Sequence, residues 1–146
     1  MKALVHGTLI DGTGADPVTD ATIIVDDGRI AEVGARIDPP RGAEVIDVSG
    51  RTIMPGLIDC HVHFFVQVGP SMQDQALKPL TMHVFEAAER ARTTLDAGVT
   101  SVRDTGFTPR GFKMAARQGL IASPRLNIAV TIMSQPGGHG DFLLPS

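Results

Sequence analysis

Gly56-Leu57-Ile58-Asp59-Cys60-His61-Val62-His63-Phe64 decides how this chain is read. The run is apolar, follows a proline, and carries two histidines at positions i and i+2. On a β-strand successive side chains point to opposite faces, so His61 and His63 share one face and Val62 takes the other. Their Cα atoms are then roughly 6.6 Å apart. Two imidazoles so spaced can reach one divalent ion at about 2.0–2.1 Å. The pattern is half of a metal site. A polar pair on a solvent-facing edge strand fits less well, because the flanks are apolar and rich in turn residues. Cys60 and Val62 fall on the opposite face and read as core, which argues against Cys60 as a nucleophile. Asp59 shares the histidines' face. Two roles are open to it: accepting the second ring proton of a histidine, or capping local backbone.

Towards the N-terminus the texture is short strands and turns. Lys2 to His6, Ala21 to Asp26, Arg29 to Val33, Glu44 to Val48 and Thr52 to Met54 all read as β. Asp27-Gly28 between two of them is a hairpin signal, and Thr22-Ile23-Ile24-Val25 is a β-branched run. Residues 1–54 are expected to form a small β domain. They are too few to close a sandwich alone and need strands from elsewhere.

Towards the C-terminus the period changes at Pro55-Gly56. Leu57 to Phe65 is a near-continuous apolar run, the pattern of a parallel strand buried on both faces. A loop containing Gly69-Pro70 follows. Leu80, Val84, Ala87, Ala88, Ala91 and Leu95 then recur at helical spacing, and Gly98 suits the position just past the helix. Val99 to Asp104 is a strand, Phe112 to Gln118 a short helix, and Leu126 to Met133 a third strand. Gly137-Gly138-His139-Gly140-Asp141 is a glycine-rich loop. The order β, α, β, α, β favours an α/β fold with a parallel sheet. In such sheets chemistry sits at the C-terminal strand ends, which is where His61, His63, Asp104, Thr105 and His139 fall.

Composition bounds the rest. The chain has 146 residues, 42% hydrophobic and 20% charged, with a net charge of −3. That is globular and gives no electrostatic case for nucleic acid or an anionic membrane. No run approaches the roughly 20 apolar residues of a membrane span, and Met1 to Gly7 lacks a signal-like apolar stretch. With one cysteine, Cys60, no internal disulfide can form. A reducing, cytoplasmic setting is expected.

Met54-Pro55-Gly56-Leu57-Ile58-Asp59-Cys60-His61-Val62-His63 resembles the opening motif of the amidohydrolase superfamily. Asp27-Gly28-Arg29-Ile30-Ala31-Glu32-Val33-Gly34 and Val45-Ile46-Asp47-Val48-Ser49-Gly50-Arg51 are similar to its N-terminal β segment. Ala97 to Asp104 and Met133 to Asp141 look like the imidazolonepropionase-like and Xaa-Pro dipeptidase-like branch. The resemblance implies a TIM barrel carrying one or two divalent ions, zinc above all, and a composite β-sandwich. It implies metal-assisted hydrolysis of an amide or other C–N bond in a small molecule such as a dipeptide or N-acyl amino acid. A deaminase or cyclic-amide hydrolase of the same superfamily is the alternative. A homo-oligomer is expected of the complete protein.

Carried over residue by residue, only His61 and His63 map onto this chain, as metal ligands; His139, on its glycine-rich loop, is by resemblance an expected substrate contact, against a loop-stabilising role. Asp104, at the end of the second strand, is expected to bond loop backbone or to support a ligand from behind, and Asp59 keeps the two roles given above. The bridging lysine and the general base have no counterpart here: Lys78 and Lys113 lie before or within helical segments, and no aspartate follows Asp141. Eight βα units take about 250 residues, whereas residues 55–146 suffice for roughly three. The chain is expected to be the first part of a barrel that needs its remaining strands. A catalytically incomplete fragment acting as a structural or binding partner is the other reading.

Overall fold

The computed structural model describes residues 1–66, 69 and 72–138. It divides into two compact units, Met1–Pro55 and Gly56–Ser146.

The first unit is a five-stranded sheet. Its strands are β1 (Lys2–Leu9), β2 (Val18–Asp26), β3 (Arg29–Ala35), β4 (Glu44–Asp47) and β5 (Thr52–Ile53). The order is β3-β2-β1-β4, with β5 also on β1. The β1–β2 and β2–β3 pairs are antiparallel, and β4 and β5 run parallel to β1. Asp27 and Gly28 link β2 to β3 with φ of 46° and 71°. Two positive φ values make the tight hairpin turn whose twist matches its strands.

Both sheet faces are partly covered. Ala3, Val5 and Ile24 form one cluster, and Leu9, Ala21 and Ile23 with Leu4 form another. Leu4 and Leu9 share a cluster although their positions differ by an odd number, five. The cause is an irregularity in register between Leu4 and Gly7, where His6 takes φ of 64°. One extra residue there reverses the alternation of faces.

The second unit is β6 (Leu57–Val62), α1 (Met72–Leu77), α2 (Leu80–Asp96), β7 (Val99–Asp104), α3 (Arg110–Arg117) and β8 (Arg125–Ile128). The sheet order is β6-β7-β8 and both pairings are parallel. This is the opening of a TIM-type α/β barrel. Ala87 and Ala91 are fully buried on α2. They complete one core with Phe64, Phe65, Val102, Phe112 and Leu126. Phe65 meets Phe112 edge to face at 5.3 Å, a favourable aromatic geometry. Gly98 follows α2 with φ of 90°, and its N–H closes onto Leu95 O at 2.9 Å. That bond satisfies a carbonyl the helix end would otherwise leave open.

Three expectations need correction. The first barrel strand stops at Val62, so His63, Phe64 and Phe65 follow it rather than continue it. The third ends at Ile128, because Val130 takes φ of 64° and Thr131 N–H turns back onto Ala129 O at 2.7 Å. Cys60 is exposed, not core, and Ile58 is 71% exposed. Among the described residues β6 pairs with β7 alone, and the buried cluster gathers near its C-terminal end, around Phe64 and Phe65. The apolar run is thus uncovered over most of its length. No described helix is long and apolar enough to cross a membrane.

Candidate metal centre

The two histidines converge. His61 Nε2 and His63 Nε2 are 3.2 Å apart, with ring centroids at 5.1 Å and planes 73° apart. Two nitrogens each about 2.05 Å from one ion at a tetrahedral angle stand about 3.3 Å apart. The pair therefore has the spacing of two ligands on a single small cation, and the donors suit zinc or another borderline divalent metal. His61 is exposed at the rim and His63 is half-buried.

The strand reaches this geometry through a local irregularity. Asp59 pairs with Val102 and Val62 with Asp104, so β6 spends one residue more than β7 over the same span. Such a bulge bends a strand and re-aims its side chains. Asp59 Oδ1 accepts the His61 backbone N–H at 3.0 Å inside the bulge. Of the two roles open to Asp59, its hydrogen bond is the local backbone one. It fixes the residue that carries the ring, not the ring.

Asp104 is fully buried. Its Oδ2 accepts Phe64 N–H at 2.8 Å and Thr108 Oγ1–H at 2.6 Å. Its Oδ1 accepts Gly106 N–H at 3.0 Å. One carboxylate thus joins the exit of β6 to the exit of β7. Arg90 on α2 closes the other side, donating from Nε to Phe64 O at 2.8 Å. Burial draws the Arg90 guanidinium below its usual pKa and Glu86, at 3.9 Å, opposes that. Glu86 in turn takes Lys78 Nζ at 2.9 Å, and that bond lowers its own pKa. Lys78 is therefore engaged in an ion pair on the helical side.

Thr105 is the residue the sequence placed at the rim without a role. Its N–H donates to Val62 O at 3.0 Å. Its Oγ1 lies 3.3 Å from His61 Nε2 and 3.2 Å from His63 Nε2. A cleft of about 270 Å³ adjoins it, lined also by Arg103, Asn127, Ile128 and Thr131. His63 Nδ1 is buried without a hydrogen-bond partner among the described residues. His139 lies outside the described residues. Among the described residues no group of three His, Cys, Asp or Glu side chains converges, and catalytic zinc takes three protein ligands.

A parallel α/β sheet of this order, with two histidines at the exit of its first strand, is the opening of a TIM-type barrel. More narrowly, the chain belongs to the amidohydrolase family, whose model matches residues 52–143. It is 36% identical over 122 residues to the imidazolonepropionase of Idiomarina loihiensis, covering 65% of this chain and 30% of that protein. It is 33% identical over 147 residues to the ochratoxinase of Aspergillus niger, covering 96% of this chain and 30% of that protein. A crystal structure of a prolidase complexed with N-methylphosphonate-L-proline superposes with a TM-score of 0.87 at 33% identity, covering 97% of this chain and 35% of that one. The chain spans about a third of the length of the curated relatives it matches.

Proposed function

We propose that the protein is a metal-dependent hydrolase of amide or related C–N bonds, with dipeptides or N-acyl amino acids as its substrate class. The observation that carries this reading is the 3.2 Å approach of His61 Nε2 and His63 Nε2 at the C-terminal end of β6. His61 and His63 would hold a divalent cation, zinc fitting their donor chemistry. When bound, such a cation supplies an activated water and polarises the scissile carbonyl. Asp59 and Asp104 hold the backbone on either side of the two histidines, and Thr105 faces both rings. His139 would bind the substrate's carboxylate or carbonyl oxygen. The remaining ligands and the general base are assigned to the barrel strands that the longer relatives carry.

The phosphonate on the prolidase neighbour supports acyl transfer, because a tetrahedral phosphonate has the shape of water added to an amide carbonyl. Opening of a cyclic amide is the second reading, favoured by the imidazolonepropionase relative.

The test is a variant panel assayed for bound metal and for hydrolysis of proline dipeptides, N-acyl amino acids and cyclic amides. His61→Ala and His63→Ala are expected to lose both metal and turnover. His139→Ala is expected to keep the metal and raise KM. Unchanged metal content in the first two variants would refute the ligand assignment.

A further inference from the structure

We infer that Arg103, with Asn127 beside it, anchors a carboxylate of the substrate, so that the site selects acids over their neutral amides. The inference rests on the hydrolase reading above and names what that site recognises.

The two faces of the second sheet carry different residues. Val102 and Leu126 are buried with Ala87, Ala91 and Phe112, under the helices. Side chains alternate along a strand, so Ser101, Arg103 and Thr105 take the face away from the helices. His61 Nε2 and His63 Nε2 meet Thr105 Oγ1 there, at 3.3 and 3.2 Å. Arg103 is two residues earlier, one layer or about 6.6 Å below Thr105. Asn127 is its register partner on β8. Both line the cleft of about 270 Å³ that Thr105 also borders. A cation and an amide thus stand directly under the paired histidines.

That cation has no counter-charge. Among the described residues Arg103 makes no ion pair and no side-chain hydrogen bond. The acids nearest in sequence are engaged elsewhere. Asp104 is buried on the other face and accepts from Phe64, Gly106 and Thr108, and Asp59 accepts the His61 N–H. One layer further down the pattern differs, because Arg125 donates to Ser101 Oγ at 3.2 Å. A guanidinium is always charged, and its planar fork matches the two oxygens of a carboxylate. The Asn127 amide adds donors for the same oxygens.

The dimensions fit the substrate class. In a dipeptide or N-acyl amino acid three bonds separate the scissile carbonyl carbon from the carboxylate carbon, a distance of roughly 3–4 Å. A carboxylate on Arg103 therefore leaves the acyl carbon beside the histidine pair, and the arginine stem spans the layer between. Of the two substrate atoms offered to His139, the carbonyl oxygen then remains.

The experiment is isothermal titration calorimetry on the intact protein, stripped of metal with a chelator so that nothing turns over. The probes are N-acetyl-L-proline and N-acetyl-L-prolinamide, an acid and its neutral amide. The parent is expected to bind the acid at least about tenfold more tightly. Arg103→Met and Arg103→Gln remove the charge and are expected to bind the two probes about equally. Arg103→Lys keeps the charge without the fork and is expected to retain part of the preference. A parent without the preference, or one whose preference survives in both neutral variants, overturns the assignment. So does a lower thermal midpoint in the neutral variants with the preference intact, which gives Arg103 to an ion pair within the protein. Hydrolysis is assayed separately with metal restored. A preference that depends on Arg103 in a protein that cleaves no C–N bond upholds the anchor and refutes the hydrolase reading. Cleavage without the preference does the reverse.

Discussion

Replacing Asp104 with alanine is expected to cost the second unit about 4 kcal/mol. The carboxylate is fully buried and accepts from Phe64 N–H, Gly106 N–H and Thr108 Oγ1–H. The Thr108 hydroxyl can rotate to a new partner, but the two backbone donors cannot. Each buried donor left open costs about 1–3 kcal/mol, more where the lost acceptor was charged. Two such donors give roughly 4 kcal/mol, at the upper end of single-residue effects. For a unit of this size, Gly56–Ser146, that corresponds to a thermal midpoint roughly 15–30 °C lower. Asp104→Asn is expected to cost about half as much, because the amide keeps one acceptor oxygen and turns an N–H₂ group towards the other donors. Thermal unfolding, followed by circular dichroism, reads both. Phe64 directly follows His63, so the same variants should weaken zinc binding in proportion to the loss. A midpoint within about 2 °C of the parent in Asp104→Ala would refute the claim that this carboxylate joins the two strand exits.

Other outcomes can be read from the same coordinates. A Cβ on Gly56 would lie 2.6 Å from Thr100 Cβ, so Gly56→Ala should destabilise by about 1–3 kcal/mol through overpacking and push β6 off β7, measured by urea unfolding. His6 Nδ1 bonds Asp20 Oδ1 at 2.9 Å, and that bond raises the His6 pKa above its usual 6.5. Any stability the pair adds is therefore complete below the unfolded-state pKa and lost as pH rises through the folded one. An NMR titration should show His6 above 6.5 in the parent and moving down towards it in Asp20→Asn; an unmoved value would remove Asp20 as the cause.

The parts of this fold that could be read from sequence are those built by neighbours in the chain. Asp27-Gly28 announced its hairpin because a two-residue turn with positive φ selects those residues. The apolar face of α2 and its stop at Gly98 follow from spacing and from one residue's freedom to adopt φ of 90°. The histidine pair was legible for the same reason. What was not legible depends on residues far apart: the Asp104–Phe64 bond spans 40 positions and the Thr105–His63 contact 42. The bulge in β6 left no signal either, since it arises from the mismatch between two strands and not from either one alone. Cys60 was misplaced because an apolar run looks the same whether or not another layer covers it.

The candidate centre is held by directional bonds as well as by packing. Phe64 and Phe65 bury the exit of β6 in the core, but a metal site needs its side chains placed to about 0.5 Å. Backbone hydrogen bonds add that accuracy. Asp59 accepts the N–H of residue 61, Thr105 gives its N–H to the carbonyl of residue 62, Asp104 accepts the N–H of residue 64 and Arg90 donates to the carbonyl of residue 64. Four residues, from β6 itself, from β7 and the turn after it, and from α2, each bind the main chain within two positions of a histidine. Directional bonds resist sliding and rotation in a way that apolar contact, which is non-directional, does not. The exit of β6 is thus pinned residue by residue where the two imidazoles emerge.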